Sequence, residues 1–375
     1  MYDAIVIGAG IAGSSSAILL SSLGHNVLQI EKSSLPAHKL CGEFLSIEAG
    51  SMLSRLGVLD NALINGAQAV TNILITSPSG RAWIGTLPGT ALGFSRYQLD
   101  NLLFGRAAAA LAHQRTGVTV LGVSGGLQQG FVVSTTAGEF EARIVVGAFG
   151  KKGVPGGSAP HSHGKPNSGY VAFKQHYSGL LPSGSIEMHL FDHGYCGINS
   201  VEDGAINVCW LAQRSLLKQH GGSREAVMQY MMRRNGRLSD RLSALQPIDG
   251  TLCAIGGIPL AGKGQFENDI CLIGDASQMI SPFCGDGMSM ALRSSELAAP
   301  LCSAFLSGKI SSGELIKTYT HDWNAEFSHR IALGKALQAI ALSPAGSEAA
   351  LALLGLFPSV ARYMVRHTRG SPEPA

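Results

Sequence analysis

The sequence predicts an α/β fold in which a parallel-sheet domain is interleaved with an antiparallel β-sheet domain and followed by a helical C-terminus. At the start of the chain, an apolar strand runs directly into a glycine-rich turn and a helix. Late in the chain, a second apolar strand ends in Gly274-Asp275 and is followed by a long helical pattern at 287–306. Between them, residues 170–212 alternate apolar and polar side chains, which is typical of antiparallel strands. Because strand-and-helix segments stand on both sides of the alternating segment, we expect two intertwined domains.

The glycine-rich turn has the spacing of a dinucleotide-binding site. The strand at 2–7 is followed by Gly8, Gly10 and Gly13, then by a helix and by a second strand that ends on Glu31. Gly8 permits a tight turn, Gly10 lets the backbone approach a pyrophosphate, and Gly13 lets the helix pack closely on the strand. The helix N-terminus offers free N–H groups to phosphates, and Glu31 can accept hydrogen bonds from a ribose diol. This unit predicts a Rossmann-type domain.

The bulk composition favours a large folded protein. The 375 residues allow two or three domains. Hydrophobic residues make up 45% of the chain and charged residues only 14%, so we expect a sizeable core and little disorder. A formal net charge of +3, without a block of lysine and arginine, argues against a nucleic-acid partner.

The start of the chain and its cysteines bear on location. The first strand begins at residue 2, which leaves no room for a signal peptide, and no apolar run reaches the ~18 residues that a spanning helix needs. The seven cysteines are dispersed without a C-x-x-C pair, as expected for reduced thiols. We therefore expect a cytoplasmic protein.

The regions between the motifs predict further elements. Residues 46–59 and 223–242 have helical patterns, and everything after about residue 311 looks helical up to a polar tail. Residues 71–90 surround a Ser-Pro-Ser-Gly turn and predict a β-hairpin. The predicted domains are a cofactor domain at 1–70, 91–155 and 265–310, a substrate domain at 71–90 and 156–264, and a C-terminal helical region at 311–375.

Three further segments carry a family resemblance. Arg96-Tyr97-Gln98-Leu99-Asp100 opens a helix, Cys271-Leu272-Ile273-Gly274-Asp275-Ala276 is a strand with its turn, and Pro282-Phe283-Cys284-Gly285-Asp286-Gly287-Met288 follows. With the glycine-rich turn, they resemble the FAD-dependent oxidoreductases of the superfamily that contains p-hydroxybenzoate hydroxylase-like aromatic hydroxylases and geranylgeranyl reductases. The resemblance covers about residues 1–310.

The resemblance implies FAD as the cofactor and gives each segment a role. In the family, an arginine at the position of Arg96 contacts the flavin dinucleotide, and an aspartate at the position of Asp275 binds its ribityl and pyrophosphate region. The loop at 282–288 lies against the isoalloxazine, where a helix N-terminus and a glycine nest would stabilise the negative charge of reduced flavin. The predicted cofactor-binding residues are Gly8, Gly10, Ile11, Ala12, Gly13, Glu31, Lys32, Cys41, Gly42, Arg96, Gly274, Asp275, Pro282, Gly285, Gly287 and Met288.

Some features depart from the family or limit the reaction. Phe149 stands where the family has an aspartate after the strand at 142–148. Only one G-x-G-x-x-G of Rossmann type is evident, whereas flavoproteins with a separate nicotinamide domain usually show two, so NAD(P)H is expected to visit transiently as the reductant. The Trp-x-Trp-x-Ile-Pro signature of tryptophan halogenases does not occur in the sequence, which makes halogenation a third choice.

Candidate catalytic residues lie near the expected flavin and in the alternating segment. Cys41-Gly42 matches a Cys-Gly pair of geranylgeranyl reductases, although Glu43 stands where a second glycine is usual. Cys41 could protonate or shield an intermediate, or it could be an inert buried thiol. Glu43 could act as an acid or base, or cap the backbone. His189 or His193 could donate a proton toward the flavin.

Other residues have plainer expectations. His161 and His163 lack a third ligand at the usual spacing, so we predict no metal site. Asp286 would oppose the charge of reduced flavin and is expected to point away as a helix cap. The apolar helices after residue 331 end in a basic segment and could cover the pocket, dimerise or touch a membrane surface. The oligomeric state stays open.

These features favour an FAD-dependent monooxygenase that hydroxylates or epoxidises an apolar or aromatic small molecule with NAD(P)H and oxygen. The oxygen step follows from the resemblance alone. The runner-up, indicated by Cys41-Gly42, is an FAD-dependent reductase of carbon–carbon double bonds in an isoprenoid or polyene. The third hypothesis is a flavoprotein that acts on a carrier-bound or protein-bound substrate. The substrate itself and the choice between NADH and NADPH stay open.

Overall fold

The computed structural model describes residues 1–151, 153, 169–257 and 264–370, which contain two β-sheets and eleven α-helices. His161 and His163 lie outside the described residues. The strands are β1 (Tyr2–Ile7), β2 (Val27–Glu31), β3 (Phe44–Leu45), β4 (Gln68–Thr76), β5 (Ala82–Gly93), β6 (His113–Thr116), β7 (Val120–Gly126), β8 (Gly130–Thr135), β9 (Gly138–Gly147), β10 (Tyr170–Ser178), β11 (Ser185–Phe191), β12 (Gly194–Ser200), β13 (Ile206–Gln213), β14 (Gln246–Pro247), β15 (Cys253–Gly256), β16 (Phe266–Glu267) and β17 (Ile270–Leu272). The helices are α1 (Ile11–Ser22), α2 (Ala49–Arg55), α3 (Leu59–Ile64), α4 (Arg96–Ala109), α5 (Arg214–Gln219), α6 (Arg224–Arg234), α7 (Gly236–Ser243), α8 (Gly287–Leu306), α9 (Ser312–Ala341), α10 (Pro344–Leu356) and α11 (Pro358–His367).

The first sheet is the parallel sheet that the opening motif predicts. Its order is β16–β17–β9–β1–β2–β6, and the β7–β8 hairpin joins it through β8 and β9. The strands from β17 to β6 run parallel, with Ala4 opposite both Val27 and Ile144. The central strand β1 is buried along residues 4–7, as its continuous apolar run requires. Helix α1 is buried around most of its circumference because it packs against the sheet, α4 and α8.

The second sheet has the order β14–β10–β13–β12–β11–β4–β5–β3, and β15 also pairs with β10. Strands β10, β13, β12 and β11 are antiparallel, as the alternating pattern predicts. Strand β11 runs parallel to β4, with Ile186 opposite Ile73. This parallel pair connects the 68–93 hairpin with the later strands, a long-range pairing for which the sequence carries no local signal. The predicted fold class is confirmed.

The alternation of side chains separates the two faces of the second sheet. One face packs against α5, α6 and α7 through a core that includes Trp210, Val227 and Leu238. The opposite face carries Met188, Tyr195 and the residues paired with them, and it points into the interior cavity described below.

Two helical predictions are corrected in detail. Residues 223–242 form α6 and α7 instead of one helix, because Asn235 has an extended backbone and caps α7 by accepting a hydrogen bond from Leu238 N. Residues 46–59 contain α2 and the start of α3, which are separated at Gly57, where φ is +68°.

The C-terminal helices lie over the second sheet. Helix α9 begins with a capping box formed by Ser311 and Glu314, and α10 turns away from α9 by 110°. Helices α10 and α11 both contact β5. Among the described helices, none alone is long and apolar enough to cross a membrane, and α9 and α10 meet those criteria only when counted together across their bend.

Candidate active site

The glycine turn after β1 requires glycine at two positions and leaves space at the third. Gly8 has a φ of +113°, and a Cβ there would overlap a backbone carbonyl just beyond β9. A Cβ on Gly13 would overlap the carbonyl oxygen of Gly8, so the close approach of helix and strand requires glycine. At Gly10, a Cβ would lie 3.4 Å from Arg96 Nη2, and the missing side chain keeps the turn open toward that guanidinium.

Glu31, at the end of β2, secures this turn. Its Oε2 accepts a hydrogen bond from Ala9 N at 2.8 Å, and its Oε1 accepts one from Ser33 N at 3.0 Å. Each carboxylate oxygen has a further lone pair, so Glu31 keeps the capacity to accept ribose hydroxyls. Lys32 is exposed beside it.

Arg96 is held rigidly at the start of α4. Its Nε and Nη2 donate to the two carboxylate oxygens of Asp100, each at 2.8 Å, and Lys39 Nζ lies 2.6 Å from the same carboxylate. Burial would raise the pKa of Asp100, but the charges of Arg96 and Lys39 lower it below its ordinary value. The ionised Asp100 thus orients a guanidinium that lines the cavity.

Asp275 lies in the turn after β17, where Gly274 has a φ of +58°. Its side chain is exposed where it lines the cavity. Desolvation by the protein around the cavity raises its pKa, while the charges of Arg96 and Lys151 lower it. Gly10, Arg96 and Asp275 come from three distant segments and line one cavity.

The loop at 282–288 also reaches this cavity. Gly285 has a φ of +68°, and a Cβ there would lie 3.1 Å from the ring of Phe44. Helix α8 begins at Gly287, so its N-terminus stands at the cavity wall. The predicted cofactor residues that line the cavity are Gly10, Ile11, Ala12, Cys41, Gly42, Arg96, Asp275, Pro282, Gly285, Gly287 and Met288. Gly8, Gly13, Glu31, Lys32 and Gly274 lie outside its lining, behind the two turns or beside them.

Asp286 does not cap α8, contrary to expectation. Its buried carboxylate lies 3.4 Å from Arg330 Nη1 of α9 instead. Burial, and then the charge of Glu48, raise the pKa of Asp286 well above its ordinary value. Arg330 also contacts Glu48, whose Oε1 accepts a hydrogen bond from Gly370 N at 3.0 Å. These contacts fasten the end of α11 behind the 282–288 loop.

The cavity has a volume of about 740 Å³ and a strongly apolar wall. One wall is the inner face of the second sheet, where paired positions form rows across the strands. One row is Leu190, Tyr195, Leu211 and Ala172, and the C-terminal helices add apolar side chains opposite it. The next row is Met188, Gly197, Cys209 and Lys174, and the third is Ile186, Asn199, Asn207 and His176. Along the sheet, the wall therefore changes from apolar to polar.

Glu43 meets the polar end of this face with three partners. Its Oε1 lies 2.9 Å from Lys174 Nζ and accepts a hydrogen bond from Arg96 N at 3.0 Å, while its Oε2 lies 2.6 Å from His176 Nε2. Glu43 and Lys174 are fully buried, and His176 nearly so. Burial would raise the pKa of Glu43, but the hydrogen bond from His176 and the charge of Lys174 hold it below its ordinary value. Glu43 therefore links the start of α4 to the substrate-side sheet.

Two asparagine side chains hold the Cys41–Glu43 turn through hydrogen bonds to its backbone carbonyl oxygens. Asn207 Nδ2 donates to Cys41 O at 3.2 Å, and Asn199 Nδ2 donates to Glu43 O at 3.1 Å. Glu43 has a φ of +52°, a conformation that a side chain strains, so these bonds offset a real cost. Burial raises the pKa of the Cys41 thiol, which argues for a neutral thiol at the cavity wall.

His189 lies on the other face of the same sheet. Its Nδ1 is 2.8 Å from Thr76 Oγ1 and its Nε2 is 3.0 Å from Glu187 Oε2, and Arg241 donates to the same glutamate. It is fully buried and does not line the cavity. This position does not support a proton transfer from His189 to a ligand in the cavity. His193 is exposed in the turn between β11 and β12.

Sequence reasoning assigned no role to Lys174, His176, Asn199 or Asn207. A signal was present: on β10, Ala172, Lys174 and His176 alternate with neighbours that face the other way, so two ionisable residues share the face that the apolar rows occupy. Only the pairing of β10 with β13 brings these residues beneath Glu43. Among the described residues, no group of three or more His, Cys, Asp or Glu side chains has the arrangement of a metal site.

Comparisons with known proteins agree with this geometry. Residues 1–174 match the family model of the FAD binding domain. The digeranylgeranylglycerophospholipid reductase 2 of Methanopyrus kandleri is 25% identical over 87% of this chain and 83% of its own length. The menaquinone reductase of Mycolicibacterium smegmatis is 26% identical over 80% of this chain and 76% of its own. The structure of the flavin-dependent brominase Bmp2 superimposes with a TM-score of 0.77 at 18% identity, over 97% of this chain and 93% of that one, which shows a shared fold.

The fold and the site define a flavin-dependent oxidoreductase. Residues 1–174 match an FAD binding domain, and most of the chain is similar in sequence to digeranylgeranylglycerophospholipid reductases. The residues present fit FAD: the Gly10 turn leaves space for a pyrophosphate, Arg96 supplies a fixed positive charge, and Asp275 offers an acceptor within the same cavity.

Proposed function

We propose that the protein is an FAD-dependent reductase that saturates carbon–carbon double bonds in an apolar isoprenoid chain. One observation carries the proposal. A single cavity joins the cofactor-binding residues to a long apolar wall, and the buried acid–base cluster of Glu43, Lys174 and His176 lies where the wall becomes polar.

The apolar wall suits a hydrocarbon substrate. Leu190, Tyr195 and Leu211 form a row on the sheet, and Ala341 and Leu351 of the C-terminal helices pack against the same cluster. Burial of a hydrocarbon chain here gains about 25 cal/mol per Å². A charged or heavily hydroxylated substrate would leave polar groups without partners along this surface, so the wall selects against it.

Saturation of a double bond requires two electrons and two protons in total. FAD, when bound, supplies the two-electron chemistry. Gly10, Arg96 and Asp275 would hold the dinucleotide, and the apolar side chains would orient the chain and exclude water. Cys41 and Glu43 stand at the polar end of the wall, where a proton donor is needed.

The relatives support a reductase. The digeranylgeranylglycerophospholipid reductase and the menaquinone reductase both align with most of this chain. Both names describe reductases of lipids that carry isoprenoid chains. The Cys41-Gly42 pair, which resembles a Cys-Gly pair of geranylgeranyl reductases, lies at the cavity wall.

An anaerobic single-turnover assay tests this proposal. Protein loaded with FAD is reduced with dithionite and mixed with a geranylgeranyl-bearing lipid without oxygen. We expect the flavin to reoxidise while the lipid gains two hydrogen atoms per turnover, as measured by absorbance and mass spectrometry. A lipid of unchanged mass, for a series of isoprenoid lipids, would exclude double-bond reduction.

A matched pair of glycine variants tests the cofactor site. In Gly10→Ala, the added Cβ stands against Arg96 in the turn that would receive the pyrophosphate, so we expect FAD affinity to fall about tenfold, roughly 1.4 kcal/mol. Gly105→Ala on α4 has no neighbour within 4 Å and serves as the control. Equal FAD affinity of both variants in a fluorescence titration would contradict the assignment.

A monooxygenase using NAD(P)H and oxygen is the second candidate, and it was the preferred hypothesis from sequence. The water-excluding apolar wall favours it too, because oxygen transfer to a hydrocarbon also needs a dry site. The two candidates differ in the assay above: a monooxygenase gives product only with oxygen, and the product gains one oxygen atom. In either case, we propose NAD(P)H as the transient reductant.

Substrate access forms part of the proposal. Ile340 and Leu353 line the cavity and are also substantially exposed, and Leu356, Phe357 and Tyr363 extend this apolar surface along α10 and α11. Arg362 adds an exposed positive charge nearby. We propose that this surface rests on an anionic lipid bilayer from which the substrate enters. Cosedimentation with anionic vesicles tests this proposal. We expect Phe357→Ser to reduce the fraction of protein bound to vesicles. Leu111→Ser, at an exposed site on the other domain, is the control and should leave that fraction unchanged.

A further inference from the structure

Three titratable side chains lead from the protein surface to the polar end of the cavity. His38, in the loop after β2, is half-buried, and its ring meets the ring of His176 edge-on with centroids 5.2 Å apart. His176 Nε2 then lies 2.6 Å from Glu43 Oε2. Glu43 in turn belongs to the cavity wall, two residues from Cys41. The three groups therefore connect partly exposed protein surface with the site.

The inner two members of this series are almost completely buried, with 6% of the His176 side chain and none of the Glu43 side chain exposed. Every element around His176 contributes a defined neighbour: Glu43 from the turn before β3, Lys174 from its own strand, Asn207 from β13, and His38. Thr251 holds the backbone of His176 through a hydrogen bond from His176 N to its Oγ1 at 3.0 Å. His38, which contacts the His176 ring, is the more exposed of the two histidines.

His38 has an unused ring nitrogen. Its Nδ1 is buried and has no hydrogen-bond partner among the described residues. The other face of the ring stacks on Tyr97 at a centroid distance of 4.8 Å, which fixes the ring plane. A buried polar atom without a hydrogen-bond partner costs stability, so the unpaired Nδ1 of His38 requires an explanation.

A reaction in this cavity that consumes protons needs a path that supplies them from solvent. The wall beyond the polar end is apolar and conducts no protons, and a reaction that consumes a proton each turnover exhausts a single acid after one cycle. A buried acid–base pair can remain productive only if it is refilled from outside.

We propose that His38, His176 and Glu43 form a proton relay from solvent to the cavity wall, with Lys174 as the positioning residue that holds Glu43 in place. The inference rests on the proposed function, because double-bond saturation consumes the proton delivered. In each cycle, His38 takes a proton from water and passes one to His176, and His176 Nε2 passes one to the ionised Glu43 carboxylate. Glu43 gives this proton to the cavity and returns to its ionised state. No electrons move in these steps, and each transfer breaks one N–H or O–H bond as it forms another.

The kinetic test compares three histidine variants in the dithionite-reduced, anaerobic assay. We expect His176→Gln to slow product formation about 100-fold, the scale of acid–base catalysis. His38→Ala should slow it less, and added imidazole should restore the rate because a diffusible acid can replace a residue close to the surface. His321→Gln, at an exposed position on α9, is the control and should react at the wild-type rate.

Imidazole rescue is the result that a merely structural role would not produce. A His176→Gln protein that reacts at the wild-type rate, or a His38→Ala protein that is slow and not rescued, overturns the relay. If wild-type protein gives no saturated product, the proposed function fails first, and the second measurement below still decides the relay.

The second measurement needs no turnover. With ¹³C-labelled histidine, the titration of His38 is followed by NMR in the FAD-loaded protein. The pKa of His38 is lowered by burial and then by the charges of Lys174 and His176. We expect His176→Gln to raise the His38 titration midpoint by about half a pH unit, and His321→Gln to leave it unchanged. An unchanged midpoint in His176→Gln would show that the two rings are not linked, and the relay would fall.

Discussion

Two buried triplets of the same chemistry lie on opposite faces of the second sheet. On the inner face, Glu43 contacts His176 and Lys174. On the outer face, Glu187 contacts His189 and Arg241. Each combines a glutamate, a histidine and a permanent cation, and in each the histidine lies within 3.0 Å of the carboxylate. Residue types alone would give them the same role.

Their surroundings differ. In the inner triplet, Glu43 lines the cavity, Lys174 has no accessible surface, and the His176 ring contacts the ring of half-buried His38, whereas no member of the outer triplet lines the cavity. In the outer triplet, the Arg241 side chain is 27% exposed, and His189 is bound by Thr76 as well as Glu187. The outer triplet fastens α7 to the sheet. Contact with the cavity, and not the chemical type of the cluster, therefore separates a candidate catalytic group from a structural one.

The largest expected difference is in stability. Lys174→Met leaves the Glu43 carboxylate without its buried cation, and breaking a buried ion pair costs about 3–5 kcal/mol. Arg241→Met removes a partly solvated partner, and we expect a loss of about 2 kcal/mol from the hydrogen bonds to the charged group. Urea unfolding of both variants gives the two free energies. Equal losses of unfolding free energy would contradict the expected difference between the fully buried Lys174 and the partly exposed Arg241.

The two triplets also predict acid sensitivity. Burial would raise the pKa of Glu43, but His176 and Lys174 lower it overall, and the pKa of Glu187 is lowered against the effect of burial by His189 and Arg241. Because the folded-state pKa lies below the ordinary value of 4.5, each glutamate contributes stability that is complete above that pH and is lost as the pH falls through the folded-state pKa.

The Glu43→Gln and Glu187→Gln variants should therefore be less stable than the wild type at neutral pH, and the deficit should shrink as the pH falls below about 4.5. Denaturant titrations at several pH values measure this. A deficit that stays constant with pH would mean that the ionised carboxylates do not provide the stability.

The smallest expected effect concerns activity. His189→Gln should change the turnover rate by less than about threefold, because the side chain lies on the outer face and does not line the cavity. It should still lower stability, since Glu187 and Thr76 lose a buried partner. Steady-state assays of His189→Gln beside His176→Gln compare the two faces directly. A large loss of activity in His189→Gln, with the fold intact, would restore His189 as a candidate catalytic residue.

Much of the cofactor half follows from local sequence. The glycine spacing predicts close approaches in the turn, and the structure shows them at Gly8 and Gly13, where a Cβ would overlap backbone atoms. Asp275 was recognised because a short apolar strand followed by Gly-Asp is a local pattern. The capping role predicted for Asp286 was wrong, because its partner Arg330 is 44 residues away and no local rule connects them.

By itself, the sequence determined the parallel sheet with its dinucleotide turn, the antiparallel strands between its parts, and the helical end of the chain. These depend on hydrophobic period and on glycine geometry, which act over a few neighbouring residues. Only the tertiary structure decided which titratable residues stand on the inner face of the second sheet. The register of β10, β13 and β12 places His176 on the inner face of the second sheet. On β11, which pairs with β4, His189 stands on the outer face. A shift of one residue in that register would exchange the two faces, and no local signal in the chain specifies it.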